Sequence, residues 1–310
     1  MKALERLVVI LGPTASGKSA LGISLARRLG AEILVCDSTQ VYRHFDIGTA
    51  KIPLGERDGI AHHLLDLVDP QEVFTAGDYR RAALAVLEDL QRRAKLPIIT
   101  AGTGLYLRAL LEGFADAPAR SEQLRERLRK TAHRSGPVRL HQMLARLDPE
   151  ASRRIAQRDT QKVIRALELR LLTRKTVGEI HRSGRTALEG YRIIKIGLLP
   201  PRAALYARID SRVQNMMAAG WLNEVRRLIA LGIPQDAKPF EFIGYAQLRQ
   251  HWAGQMPLPE AIRRIQQATR NLAKRQITWF RGESAVTWFS AFGDDPCVVS
   301  QAFRLFSRAE

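Results

Sequence analysis

The chain has 310 residues, 45% of them hydrophobic, and its formal net charge is +18. That length suits one large domain or a domain with an inserted module. No apolar run approaches the roughly 20 residues that cross a bilayer, which excludes a membrane-spanning protein. Residues 1–6 lack the pattern of a signal peptide, and the two cysteines, Cys36 and Cys297, lie far apart in the sequence. We therefore expect a cytoplasmic protein with two free thiols.

The charge is distributed unevenly along the chain. Residues 1–120 carry 15 Lys and Arg against 14 Asp and Glu, whereas residues 121–310 carry 34 against 17. A nearly neutral first part followed by a strongly basic one indicates a small-molecule site joined to a surface that binds a polyanion. Nucleic acid is the polyanion that best fits this composition. Arginines scattered over solvated faces are the alternative.

The first 118 residues alternate short apolar runs with amphipathic segments. The runs Arg6–Leu11, Glu32–Cys36 and Leu96–Ala101 are typical of buried strands. The segments between and after them have the apolar spacing of helices, and they are Lys18–Leu29, Ala76–Lys95 and Gly104–Leu111. Strands that alternate with helices predict an α/β fold whose parallel sheet is covered on both faces.

The pattern changes near Pro118. Residues 121–182 have no strand signal, and four arginine-rich helices are predicted at Glu122–His133, Val138–Leu147, Pro149–Ala156 and Thr160–Thr173. A strand at Tyr191–Leu199 then returns to the sheet, before helices at Arg202–Ala219, Leu222–Leu231 and Pro259–Phe280. We predict a catalytic core of residues 1–118 and 190–310, interrupted by an all-helical insertion of residues 119–189.

A phosphate-binding loop follows the first strand. Its sequence matches the pattern G-x-x-x-x-G-K-[ST], which requires a strand before it and a helix after it. The predicted phosphate-binding residues are Gly12, Pro13, Thr14, Ala15, Ser16, Gly17, Lys18 and Ser19. Backbone N–H groups and the helix N-terminus would face the phosphates, with Lys18 reaching their oxygens. Ser19 is the predicted Mg²⁺ ligand. The ligand is therefore a small molecule that carries a di- or triphosphate.

Polar residues follow the second and third strands. Asp37 is the acidic residue best placed to approach the phosphate loop, which makes it a candidate general base. Ser38, Thr39 and Gln40 are candidate polar readers, although a simple turn is the alternative. The strand Leu96–Ala101 ends in Ala-Gly-Thr-Gly rather than in the acidic residue expected of a nucleotide hydrolase.

Seven segments in order resemble the tRNA dimethylallyltransferase family, also called tRNA isopentenyltransferases. They are GPTASGKS, DSTQVYR with DIGTAK, HHLLD, AGTGLYLRALLEG, RALEL, FIGY and TRNLAKRQITWFR. They span residues 12 to about 282, nearly the whole chain. The resemblance implies a P-loop NTPase-like core and transfer of a dimethylallyl group from its pyrophosphate. It implies that the acceptor is the exocyclic amine of the adenosine 3′ of the anticodon.

The resemblance also implies roles for single residues and partners. Asp37, Thr103 and Arg212 match catalytic positions, and Arg208 is a close rival of Arg212 for holding the pyrophosphate. The implied tRNA contacts are Asp37, Ser38, Thr39, Gln40, Thr103, Arg125, Gln161, Lys162, Val163, Ile164, Arg165, Lys274, Arg275 and Arg281. The implied partners are the tRNA anticodon stem-loop, dimethylallyl pyrophosphate and Mg²⁺, with the protein acting as a monomer.

The chain departs from the family pattern at some positions. Ala101 replaces the first glycine of a Gly-Gly-Thr motif, and Arg174 stands where glycine often ends a helix.

Two other functions could use the same phosphate loop and basic residues. A small-molecule kinase would bind ATP on the same loop, but it leaves the basic remainder without a purpose. A non-catalytic RNA-binding module would bind tRNA without modifying it.

Overall fold

The computed structural model describes residues 4–114, 118, 120–182 and 184–307. Six strands within these residues are β1 (Glu5–Leu11), β2 (Glu32–Cys36), β3 (His62–His63), β4 (Pro97–Ala101), β5 (Tyr191–Leu198) and β6 (Val286–Phe289). They form one fully parallel sheet in the spatial order β3-β2-β4-β1-β5-β6. The carboxyl ends of all six strands therefore lie at one edge of the sheet.

Twelve helices are described. They are α1 (Lys18–Leu29), α2 (Ala76–Arg92), α3 (Gly104–Glu112), α4 (Glu122–Leu147), α5 (Pro149–Arg154), α6 (Thr160–Thr173), α7 (Val177–Arg182), α8 (Arg202–Ala218), α9 (Trp221–Ala230), α10 (Tyr245–Trp252), α11 (Leu258–Phe280) and α12 (Pro296–Ser307). None of these described helices combines the length and apolar character that crossing a bilayer requires.

The centre of the sheet is buried because β1 is apolar on both faces. Five consecutive residues of β1, from Leu7 to Leu11, are at most 1% exposed. Helices α1 and α12 pack on one face, where Leu21 and Leu25 meet Val298 in a shared apolar cluster. Such two-sided cover is typical of parallel sheets and confirms the predicted α/β class.

The chain divides into two compact units. One consists of Met1–Leu110 with Glu189–Glu310 and contains the sheet, and the other is Leu111–Leu188 and is helical. Helices α4 and α6 form the core of the helical unit, in which Leu140, Leu144 and Leu167 are fully buried. The domain limits predicted at residues 1, 119 and 310 lie outside the described residues.

The strongly patterned elements agree with the sequence predictions. Strands β1, β2, β4 and β5 and helices α1 and α6 lie within one residue of the expected bounds. The two helices predicted at Glu122–His133 and Val138–Leu147 are both present within α4, where they are separated by a kink at Gly136, whose φ of 79° is not helical. Five elements were not predicted: β3, α7, α10, α12 and β6. Four of them are short, with two to eight residues each, whereas α12 has 12 residues.

Arg174 ends α6 in a left-handed conformation, with φ 59°. A side chain with a Cβ is unfavourable there, so Arg174→Gly should raise the free energy of unfolding by about 0.5–1 kcal/mol. Urea unfolding followed by circular dichroism measures this. The matched control is Lys175→Gly, because Lys175 does not have a positive φ. An Arg174→Gly variant destabilised as much as Lys175→Gly would contradict the explanation.

Candidate active site

The phosphate loop connects β1 to α1 at the carboxyl edge of the sheet. Three of its residues have positive φ: Gly12 at 154°, Ala15 at 63° and Gly17 at 89°. The loop is packed from outside by residue 293, whose N–H donates to the Ser16 carbonyl (2.9 Å). An added Cβ on Gly17 would lie 2.7 Å from the Gly293 nitrogen. The buried Ser16 hydroxyl has no hydrogen-bond partner among the described residues. The loop therefore has the curled backbone that phosphate binding requires.

Lys18 is the first residue of α1, and its ammonium group folds back over the loop. Nζ donates to the Pro13 carbonyl at 2.8 Å. Burial lowers the pKa of Lys18 to about 7, with the Asp37 carboxylate acting in the opposite direction and Arg212 adding to the decrease. An anion bound in the loop would raise this pKa again, because it favours the charged form.

Asp37 directly follows β2 and faces the residues after β4. Its Oδ1 accepts hydrogen bonds from the backbone N–H of Thr39 (2.8 Å) and from its hydroxyl (2.6 Å). Its Oδ2 faces Gly102, where an added Cβ would lie only 2.7 Å away. The absence of a side chain at residue 102 thus makes room for the carboxylate.

Thr103 is tied to the residue after Asp37. The Thr103 hydroxyl accepts the Ser38 backbone N–H (2.9 Å) and donates to the Ser38 hydroxyl (3.2 Å). Beneath them, burial raises the pKa of the Cys36 thiol to about 12. The thiol is therefore neutral near pH 7, and it is not an activated nucleophile. Both Cys36 and Cys297 are free thiols.

Gln276 of α11 connects two sides of the site. Its Oε1 accepts the Thr14 N–H (2.7 Å), and its Nε2 donates to the Gly102 carbonyl (2.8 Å). One amide thereby fixes the distance between the phosphate loop and the segment that carries Thr103. Sequence reasoning missed this residue, although it lies inside the segment TRNLAKRQITWFR.

Two arginines of α8 approach the loop, and their environments differ. Arg208 is paired with the Asp294 carboxylate through both terminal nitrogens, at 2.7 and 3.0 Å. Arg212 makes no hydrogen bond or ion pair within the described part of the chain, and burial lowers its pKa. A buried guanidinium without an anion is a strong anion-binding group. Both arginines line the same cavity, but among the described residues only Arg208 is engaged by a carboxylate at ion-pair distance.

These groups surround one cavity of about 1050 Å³. Of the predicted site residues, those that line it are Thr14, Ala15, Ser16, Gly17, Lys18, Ser19, Asp37, Gln40 and Arg212. Gly12 and Pro13, the first two residues of the loop, are buried and do not line the cavity. Ser38, Thr39 and Thr103 do not line it either. Ser19 is exposed toward it.

The C-terminal part of α11 presents unpaired positive charge. Lys274, Arg275 and Arg281 are exposed, and none of them forms an ion pair with a described residue. The neighbouring aromatics differ, because Phe280 is buried (1% exposed) whereas Trp279 is 36% exposed. Trp279 stacks against the Arg108 guanidinium, 4.7 Å from its ring centre, and packs on Gly104.

The helical unit places its predicted tRNA residues differently. Gln161 and Lys162 are exposed, and Arg125 and Arg165 bind the buried carboxylate of Glu168 at 2.7 and 2.6 Å. Val163 and Ile164 are 1% and 6% exposed and belong to the core of the unit. Their side chains belong to the core, so at these two positions the predicted tRNA contact could involve only the backbone.

Comparisons with known proteins agree with this arrangement. A model of the family described as IPP transferase matches residues 40–283. The tRNA dimethylallyltransferase of Solibacter usitatus is 52% identical over 291 residues, covering 94% of each chain. The enzyme of the same name from Koribacter versatilis is 46% identical, over 96% of this chain and 97% of the relative.

Two solved structures are also similar. The tRNA isopentenylpyrophosphate transferase of Bacillus halodurans has a TM-score of 0.72 at 36% identity, over 98% of this chain and 96% of that one. A eukaryotic dimethylallyltransferase described as acting on tRNA has a TM-score of 0.83 at 27% identity, over 98% and 79%. With a phosphate loop, a parallel sheet and relatives matched over nearly its full length, this chain belongs to the IPP transferase family.

Proposed function

We propose that this protein transfers a dimethylallyl group from dimethylallyl pyrophosphate to the exocyclic amine of the adenosine 3′ of the anticodon in tRNA. The observation that carries the proposal is that two sets of groups line one cavity. The first is the phosphate loop with Lys18 and Arg212, and the second is the Asp37 carboxylate. The first set suits a leaving pyrophosphate, and the second suits an attacking amine.

The donor end holds the leaving group. In the reaction, the bond between C1 of the dimethylallyl group and the pyrophosphate oxygen breaks, and the pyrophosphate leaves with the electron pair. The backbone N–H groups of the loop, the Lys18 ammonium and the Arg212 guanidinium stabilise the negative charge that develops on it. Because the allylic cation is delocalised, positioning and charge stabilisation supply the catalysis, without a covalent enzyme intermediate.

Mg²⁺ fits the donor end through Ser19. The hydroxyl lies in the first turn of α1 and is exposed to the cavity. Among the described residues, no three His, Cys, Asp or Glu side chains are grouped so that they could hold a metal ion. A single hydroxyl suits an ion that usually keeps several waters and binds mainly through substrate phosphates. When bound, the ion would neutralise charge on the pyrophosphate.

The acceptor end positions the amine and receives its proton. The adenosine amine is weakly basic, and it gains a positive charge as its nitrogen bonds to C1. Asp37, which is held by the Thr39 turn, accepts that proton or hydrogen-bonds to it. Thr103 is held near Asp37 because its hydroxyl accepts the backbone N–H of Ser38, the next residue. The lack of a Cβ at residue 102 lets the carboxylate approach the reacting centre.

The basic surfaces suit the tRNA. A base stacked in the anticodon loop must leave the stack to reach Asp37, so the phosphates around it have to be held. Lys274, Arg275 and Arg281 provide unpaired charge on the catalytic core for this purpose. In the helical unit we assign that role to Gln161 and Lys162, with Arg125 and Arg165 oriented by Glu168.

The experiment that tests the reaction uses labelled donor. Purified protein, Mg²⁺, unmodified tRNA and radiolabelled dimethylallyl pyrophosphate are incubated, and label in acid-precipitable RNA is counted. ATP is supplied in a parallel reaction. We expect label in the RNA and no tRNA-stimulated loss of ATP. Loss of ATP without prenyl transfer would favour the small-molecule kinase or an ATPase instead.

Donor binding is expected to depend on pH through Lys18. The free protein holds this group at a pKa of about 7, and the bound pyrophosphate raises it, so binding above pH 7 requires uptake of a proton. Affinity for dimethylallyl pyrophosphate should fall by about tenfold per pH unit from pH 7.5 to 9. The donor's own ionisation, near pH 6, is complete in that range.

Calorimetry in two buffers of different ionisation enthalpy counts the protons taken up. The control is Lys18→Arg, which remains charged at every pH used and should lose the dependence. A wild-type affinity that stays constant from pH 7 to 9 would refute the assignment.

A further inference from the structure

Two sequence segments that the proposed chemistry does not use, DIGTAK (Asp46–Lys51) and FIGY (Phe242–Tyr245), meet at one buried carboxylate. Glu224 of α9 is 5% exposed. Its Oε2 accepts the backbone N–H groups of Asp46 (3.0 Å) and Ile47 (2.8 Å). Its Oε1 accepts the Tyr245 hydroxyl (2.5 Å) and lies 3.4 Å from the Gly48 nitrogen. A buried charge with this many donors holds a loop in one conformation.

The packing around the carboxylate is equally restrictive. An added Cβ on Gly48 would lie 2.2 Å from Trp221 Nε1, and one on Gly244 would lie 1.9 Å from the same indole. Gly244 also has φ 94°, which favours glycine. Both segments therefore need their glycine in order to fit against Trp221. The loop Asp46–Lys51 is consequently pressed against α9 as well as hydrogen-bonded to it.

The loop in turn orients Gln40. Gln40 Nε2 donates to the carbonyls of Thr49 (3.0 Å) and Ala50 (3.4 Å). Gln40 lines the cavity together with Asp37. Its Oε1 has no hydrogen-bond partner in the described residues, so this oxygen is the atom left to accept a hydrogen bond from a ligand.

We infer that Glu224 is a positioning residue that acts through the loop Asp46–Lys51 to hold Gln40 with its carbonyl oxygen toward the RNA. The RNA group it recognises is a hydrogen-bond donor, such as a base N–H. The inference rests on the proposed function, because it requires RNA at this end of the cavity. We expect Glu224 to have no effect on donor binding, because none of its contacts reaches the phosphate loop.

A double-mutant cycle tests the inference in the full-length protein. The variants are Gln40→Ala, Glu224→Gln and the combination, and the readouts are Kd for unmodified tRNA, Kd for dimethylallyl pyrophosphate and the melting temperature. We expect the tRNA Kd to rise about tenfold for Gln40→Ala and about fivefold for Glu224→Gln, with donor Kd within about twofold. The double variant should bind tRNA no more weakly than Gln40→Ala alone, because both changes remove the same contact.

The control for losing a carboxylate elsewhere is Glu32→Gln. Glu32 is paired with Arg93 at 2.7 Å and is the first residue of β2, at the opposite end of the strand from Asp37. The Glu32→Gln variant should have a lower melting temperature than the wild type and an unchanged tRNA Kd. If Glu224→Gln folds poorly, Tyr245→Phe is used in its place. We then expect a smaller rise in tRNA Kd and again little change in donor Kd.

An unchanged tRNA Kd in Glu224→Gln, or factors that multiply in the combination, would overturn the inference. So would a Gln40→Ala variant that binds tRNA normally. A wild-type protein that binds tRNA with this coupling but transfers no prenyl group would overturn the proposed reaction and leave the positioning role intact.

Discussion

Replacing Asp37 with asparagine is expected to lower kcat for dimethylallyl transfer by about a hundredfold to ten-thousandfold. The amide cannot take the proton that the adenosine amine releases. Its oxygen can still accept both hydrogen bonds from Thr39, so the turn after β2 should keep its shape. Single-turnover measurements with saturating tRNA and donor separate this chemical step from binding.

The controls for Asp37→Asn concern binding and general charge effects. The tRNA Kd should change less than about tenfold, because a single hydrogen bond contributes little to a large RNA interface. Asp69→Asn removes an exposed carboxylate that is paired with Arg43 at 2.9 Å, and it should leave kcat unchanged. If Asp37→Asn retains most of the wild-type kcat, Asp37 is not the group that receives the proton.

Replacing Arg212 with glutamine is expected to lower kcat/KM for the donor by about a hundredfold to a thousandfold. The buried guanidinium forms no ion pair or hydrogen bond with a described residue, so its N–H groups are available to the departing pyrophosphate. Glutamine is close in length and keeps a hydrogen-bond donor, but it removes the charge. Steady-state kinetics at fixed tRNA and varied donor measure the loss.

Arg208→Gln is the matched control on the same helix. Its guanidinium is already bound to Asp294 through two hydrogen bonds, so part of its charge is neutralised before a ligand binds. We expect Arg208→Gln to lower kcat/KM by less than about tenfold, mainly through the segment that packs on the phosphate loop. Equal losses for the two variants, or a larger loss for Arg208→Gln, would reverse the assignment.

Local features of the chain were accessible from the sequence. The loop from Gly12 to Ser19 is one continuous segment, so its pattern and its neighbours predicted both its shape and its ligand class. Parallel strands place their carboxyl ends together, which is why Asp37 was expected near the loop. The apolar runs of β1 and β2 and the helical apolar spacing of α1 and α6 predicted their bounds, because the positions that become buried can be identified within each segment.

The role of each residue in α6 was harder to predict from the sequence. A match between family motifs does not distinguish the side chains of a helix that face solvent from those that face its partner. Gln161 and Lys162 are exposed, whereas Val163 and Ile164 pack against α4. The apolar character of the latter two was a signal that they serve the core.

By itself, the sequence determined the α/β class, the phosphate loop, the basic surface and the resemblance to a family. Each of these depends on residues that are close together in the chain or on composition. Only the tertiary structure decided which polar groups are available to ligands. Gln276 meets Thr14 across 262 residues, and Arg208 meets Asp294 across 86. Packing alone brings such partners together, and a guanidinium that already holds a carboxylate cannot be distinguished from a free one by reading its own segment.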